Sequence, residues 1–84
     1  MKIKSTADFQ EALRQGELGN AANWLEQVRN EPKYDDTWLD HRSRELMDAF
    51  CAIGNLDRAA HYINYAQTET GRQGRVEKIK KLKK

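Results

Sequence analysis

Cysteine, proline and long apolar runs are all scarce in this 84-residue chain. The lone cysteine, Cys51, excludes a disulfide within the chain, which fits a reducing compartment. The lone proline, Pro32, leaves only one place where a pyrrolidine ring interrupts helix. No apolar run approaches the roughly 20 residues that span a bilayer. The opening MKIKSTADF has no apolar signal region, and the ending KKLKK matches no common address or lipidation signal. The expected compartment is the cytoplasm, with no membrane span.

Apolar residues are also few, at 38% of the chain, and Leu, Ile, Val and Phe together number fifteen. That composition would mean disorder if net charge were high, but the formal charge is only +2. Nine alanines and a regular spacing of the larger apolar residues predict instead one thin helical domain over 1–84 with a modest core. The small net charge conceals a split. Residues 1–71 carry eight basic and twelve acidic side chains, whereas 72–84 carry seven basic and one acidic. An acidic body precedes a basic tail.

Local signals divide the body into helices. Ser5 with Asp8 resembles a capping box, Phe9, Ala12 and Leu13 follow at helical spacing, and Gly16 closes the segment. Leu18, Ala21, Ala22, Leu25 and Val28 define a second helix that stops before Pro32. Asp35 or Asp36 caps a third and longer helix bearing Leu39, Leu46, Phe50 and Ile53. Gly54 ends it, Asn55 caps the next, and Leu56, Ala59, Ala60, Ile63 and Ala66 predict a fourth helix. No useful segment alternates with period two, so the expected class is all-α. Beyond Gly71 and Gly74, Val76, Ile79 and Leu82 predict either a short fifth helix over 72–84 or a frayed basic tail.

Two stretches share a phrase. RQGELGNAANWL (14–25) aligns with AIGNLDRAAHYI (52–63), placing Gly16 on Gly54, Leu18 on Leu56, Ala21-Ala22 on Ala59-Ala60, and Trp24 on Tyr62. In each copy a glycine turns the chain, and small alanines let two backbones approach. The phrase predicts an antiparallel helical hairpin used twice, over 5–31 and 35–70. Trp24, Trp38, Tyr62 and Tyr65 are expected to fill gaps between alanine-rich helices rather than to meet a ligand.

The repeated phrase resembles the tetratricopeptide repeat, whose period is about 34 residues. In the second copy Leu46 and Phe50 match the family's first-helix leucine and aromatic, and Ala59, Ile63 and Ala66 match its second-helix positions. The chain departs from the pattern at Met47, where the family has a small residue, and at Ser43, where it has tryptophan. The resemblance implies a right-handed stack of two hairpins that binds a protein or peptide along its first helices. Carried over by alignment, the groove positions are Thr6, Gln10 and Arg14 in the first copy, and His41, Arg44, Asp48 and Cys51 in the second. Asp48 stands where the family's two-carboxylate clamp needs an amide, which disfavours that ligand. Two repeats fall short of a stable stack, so a fifth helix, self-association or a partner is expected to cover the ends, or the chain is a piece of a longer array.

Catalytic chemistry finds no support in the pattern. No nucleophile–histidine signature or phosphate loop is present, and Cys51 reads as a small packing residue. Asp35, Asp36, Asp40 and His41 read as caps and dipole partners rather than metal ligands, and His41 and His61 lack an i, i+4 histidine. Asp57 and His61 are expected to pair on the surface. No catalytic, metal or cofactor site is expected. Arg72, Arg75, Lys78, Lys80, Lys81, Lys83 and Lys84 form a candidate polyanion contact, with nucleic acid as the alternative partner; a solvated terminus or docking to an acidic protein are the other readings.

Overall fold

Ser5 starts the first helix. In the computed structural model, which describes residues 2–83, its Oγ accepts from the Asp8 amide at 3.2 Å. α1 then runs Thr6–Arg14. The Asp8 carboxylate accepts from the Lys4 amide at 3.0 Å rather than from Ser5, so the expected box is offset by one residue. Gly16 sits at φ +80°, with its amide on the Leu13 carbonyl and the Glu17 amide on that of Ala12. That pair of bonds is a Schellman turn, and the left-handed φ is what only glycine adopts cheaply. α2 follows over Leu18–Val28 and ends ahead of Pro32 as the sequence predicts.

Asp35, not Asp36, caps α3, accepting from the Trp38 amide at 2.8 Å. α3 covers Asp36–Ala52. Gly54 at φ +78° then repeats the first turn, bonding Gly54 to Cys51 and Asn55 to Phe50 through the same backbone pattern. Asn55 caps α4 through its side chain, as expected.

The fourth helix is where expectation and structure part. α4 spans only Leu56–Ala60, a single 3₁₀ turn covers Ile63–Tyr65, and Ala66 is extended. The tighter bonding begins at the Arg58 and Ala59 carbonyls, which accept from the His61 and Tyr62 amides, and beyond it the Tyr62 carbonyl accepts from the Arg75 guanidinium at 2.6 Å. A continuing α-helix would offer that oxygen to the Ala66 amide. Instead Tyr65 takes Tyr62 and Ala66 takes Ile63, the tighter i→i+3 pattern.

α5 resolves the open question about the tail. It is a helix over Glu69–Leu82 and starts ahead of 72, taking in both Gly71 and Gly74. Thr68 caps it by accepting from the Gly71 amide at 3.0 Å, and Glu69 lies in the first turn where the dipole favours an acid. A side chain at Gly71 would put Cβ 3.1 Å from the Thr68 hydroxyl, so this glycine makes room for the cap. Ile79 is buried, whereas Leu82 is 48% exposed, so the predicted three-residue stripe is seated at one position in full.

Polar contacts between the hairpins sort the elements into two layers. Trp38 Nε1 donates to Thr6 Oγ1 and Gln10 to Glu45, each at 3.0 Å, which sets α1 beside α3. Arg75 and Lys78 reach Asp40 and Asp48, which sets α5 beside α3. On the other side Arg29 and Glu26 of α2 meet Tyr65 and His61. The result is a slab of 37 × 27 × 15 Å. Among the described residues there is no strand. Phe9, Leu25 and Leu46 are sealed between the layers with Ala12, Ala21 and Ala59. Each large side chain so buried contributes about 1.5–3 kcal/mol. Trp24 packs on Phe9, and its counterpart Tyr62 stacks on Phe50, their ring centres 5.6 and 6.1 Å apart. Trp24 and Tyr62 are buried and Trp38 and Tyr65 partly so, which puts these aromatics in the packing.

Candidate functional site

The face shared by α1, α3 and α5 is closed on one side and open on the other. Between α1 and α3, Thr6 and Gln10 are used up in the bonds to Trp38 and Glu45, and Arg42 meets Glu45 at 2.5 Å. Between α3 and α5 a groove of about 460 Å3 remains. Asp40, Arg44, Met47 and Asp48 line it from α3, which places them on one helical face. Thr70, Gly71, Gly74 and Lys78 line it from α5. A Cβ built on Gly74 would meet nothing within 4 Å, so the missing side chain keeps the groove open.

The wall of this groove is organised by Arg75. It is 4% exposed, and its guanidinium donates to Ser43 Oγ at 3.0 Å, the Asp40 carbonyl at 2.9 Å and the Asp40 carboxylate at 2.5 Å. With the Tyr62 carbonyl, four acceptors from two segments converge on one side chain. Burial lowers the Arg75 pKa and the Asp40 charge raises it again, while nearby Arg44 adds to the lowering. Ser43 is itself fully buried and donates to the Asp40 carbonyl at 3.0 Å. Its small side chain leaves the volume that the guanidinium occupies. A buried cation is tolerated when it is paired and hydrogen-bonded, and here both terminal nitrogens of the guanidinium are engaged twice.

The residues singled out from the sequence fall into distinct settings. Arg44 is exposed on the groove rim, and Asp48 is half-buried with Lys78 Nζ at 2.7 Å. His41 is exposed outside the groove lining. Arg14 is exposed on α1 and tied to Glu11, its Nε at 2.8 Å. Cys51 is 8% exposed within the core cluster, so it stands apart from the surface set. Burial pushes its thiol pKa up, Lys78 opposes that and Asp48 reinforces it.

The basic residues divide as well. Arg75 is inside, Lys78 holds Asp48, and Arg72 holds Glu69 at 2.6 Å and reaches the Ala66 carbonyl at 3.4 Å. Lys80, Lys81 and Lys83 are exposed, and Lys84 lies outside the described residues. Nothing in the sequence pattern distinguishes Arg75 from its basic neighbours.

A second cluster escaped sequence reasoning altogether. Tyr65 Oη accepts from Arg29 at 2.6 Å and donates to Glu26, with His61 Nε2 3.4 Å away. The Arg29 guanidinium also lies 4.5 Å from the Tyr65 ring centre. Burial, with the Glu26 carboxylate beside it, pushes Tyr65 up to about 12. His61 stands 3.7 Å from Glu26, so it turns toward α2 rather than to Asp57 as the sequence suggests. A shallower groove of about 370 Å3 adjoins this cluster between α2 and α4.

Among the described residues no three His, Cys, Asp or Glu side chains gather as a metal site, and no helix is long and apolar enough to cross a membrane. Asp35 is engaged as a cap and Asp40 with Arg75. Compared with family models, curated proteins and solved structures, the chain finds no match.

Proposed function

We propose that this chain is a non-enzymatic protein–protein interaction module, a tetratricopeptide-like adaptor or assembly domain that binds a protein or peptide along the surface of α1, α3 and α5. The observation that carries this reading is the open α3/α5 groove, because it brings Arg44 and Asp48, both expected at a binding surface, to one concave place. The repeated glycine turn and the sorting of first helices into one layer support the resemblance on which the reading rests. Within that reading, α5 covers one end of the second hairpin, the role expected of a fifth helix in a two-repeat stack.

Grooves of this kind recognise a segment by a few anchors rather than by their whole area. Arg44 on the rim is the anchor available here. The test is affinity capture with the intact chain and with Arg44→Glu, followed by measurement of the direct complex and of oligomeric state. A partner, or a second copy of the chain, held by the intact chain and released about tenfold more readily by Arg44→Glu is the expected result. A strictly monomeric chain with no protein partner would sink the reading.

A further inference from the structure

The seven basic residues of the tail are not equivalent, and the fold separates them into two sets. Arg72, Arg75 and Lys78 are committed: one to Glu69 and the Ala66 carbonyl, one to the buried acceptors of α3 and Tyr62, one to Asp48. Lys80, Lys81 and Lys83 are exposed, and their side chains make no hydrogen bond or ion pair with any other described residue. Glu77 lies three and four residues before Lys80 and Lys81, yet no ion pair joins it to either. We propose that Lys80, Lys81 and Lys83, at the exposed end of α5, contact the phosphate backbone of nucleic acid. This surface is separate from the α3/α5 groove, whose lining includes none of the three.

The chemistry of the two sets favours phosphate over the other anionic surfaces. Both arginines of the tail are spent internally, and the outward set is lysine alone. Arginine pairs bidentately with carboxylates and phosphates alike and is enriched at protein interfaces, where lysine is depleted. Lysine is a compact point charge that meets phosphates without a fixed geometry, and its binding energy comes from counterion release. An anionic membrane would need apolar residues on the same face. Ile79 is committed to the core, which leaves only Leu82 near the lysines. The helix carries no aromatic side chain, so base stacking is absent and the contact is independent of sequence.

The partition predicts a number. Each phosphate neutralised on duplex DNA contributes about −0.9 to the slope of log K against log salt, so three lysines give about −2.7, and about −3.6 if Lys84 joins them. All seven cations acting together would give about −6.3. The experiment is titration of the intact chain with a labelled duplex of arbitrary sequence at several salt concentrations, with phosphatidylserine vesicles and polyglutamate as parallel probes. The expected result is a slope near the lower values, with binding weakened at least about tenfold by the joint change Lys80→Gln, Lys81→Gln and Lys83→Gln. Lys78→Gln is expected to leave duplex affinity within about twofold, and replacing the three lysines by arginine is expected to retain binding. The circular dichroism of the glutamine variant should match the parent, since the three side chains are exposed and make no hydrogen bond or ion pair with another described residue. Four results would overturn the proposal: no duplex binding at low salt, a slope steeper than about −5, undiminished binding by the glutamine variant, or tighter binding to vesicles or polyglutamate than to the duplex.

Discussion

The first hairpin carries its second helix for eleven residues past the glycine turn, whereas the second hairpin carries its own for five before breaking. Both turns use the same backbone bonds and the same left-handed glycine. The divergence therefore does not begin at the turn. α2 contributes Leu18, Ala21, Ala22, Trp24, Leu25 and Val28 to the core, and apolar packing holds it as a regular helix. α4 contributes Ala59 alone among fully sealed residues, and the backbone after it is recruited by Arg75. Two copies of one phrase fold alike through the turn, then part where the second chain tightens to i→i+3 bonds and its Tyr62 carbonyl is taken by Arg75.

The largest test of that contrast uses the aligned pair Leu25 and Ile63. Leu25 is sealed, whereas Ile63 only packs against the core from its edge. Leu25→Ala should cost about 3–4 kcal/mol and Ile63→Ala about 1–2 kcal/mol in denaturant unfolding. Similar costs for the two would mean that the hairpins are held alike. Next comes Arg75→Met, which strips four acceptors of their donor and should cost about 3 kcal/mol. Its signature is regional: amide exchange should accelerate across 62–82 and stay unchanged across α1 and α2. If exchange rose evenly, the guanidinium would not be what holds α5 against α3 and the turn at Tyr62.

A subtler test concerns the junction between the hairpins. Tyr65 has its pKa raised to about 12, by burial first and by the Glu26 bond second. A raised folded value means that the hydroxyl's contribution is complete below its unfolded value near 10 and fades as pH rises through the folded one. Stability should thus decline between about pH 10 and 12, and Tyr65→Phe should flatten part of that decline in urea melts. Burial also raises Tyr62, so some alkaline sensitivity should persist in the variant. The smallest effect contrasts two glycines within α5. Gly74→Ala meets open space and should stabilise by about 0.5–1 kcal/mol, while Gly71→Ala, crowding the Thr68 hydroxyl, should gain less or lose stability by thermal melting.

Much of this fold was legible because its signals are short-range. Ser5, Asp35 and Asn55 cap helices from within three residues, and Gly16 and Gly54 act on the five residues before them. The site was legible in part: Arg44 and Asp48 do share the groove, but Cys51 lies inward and Thr6 and Gln10 are absorbed into the α1–α3 seam. Arg75 was not legible, because a basic residue among basic residues carries no mark of burial. Its environment is assembled from positions 40, 43 and 62, which adjoin it only in the folded chain.

The Thr68 cap and the Arg75 acceptors also impose an order in time. α5 can nucleate on its own cap, but Arg75 has nothing to bind until α3 and the turn at Tyr62 have both formed. Docking that waits on both would be absent from the folding transition state, which predicts a φ-value near zero at Arg75. Interactions made after the barrier govern how fast the native chain opens, not how fast it assembles. Arg75→Met should accordingly leave the refolding limb of a chevron plot almost unmoved and raise the unfolding limb. On that outcome Arg75, the one buried cation among the described residues, acts less as a pillar of the structure than as the catch that sets its lifetime.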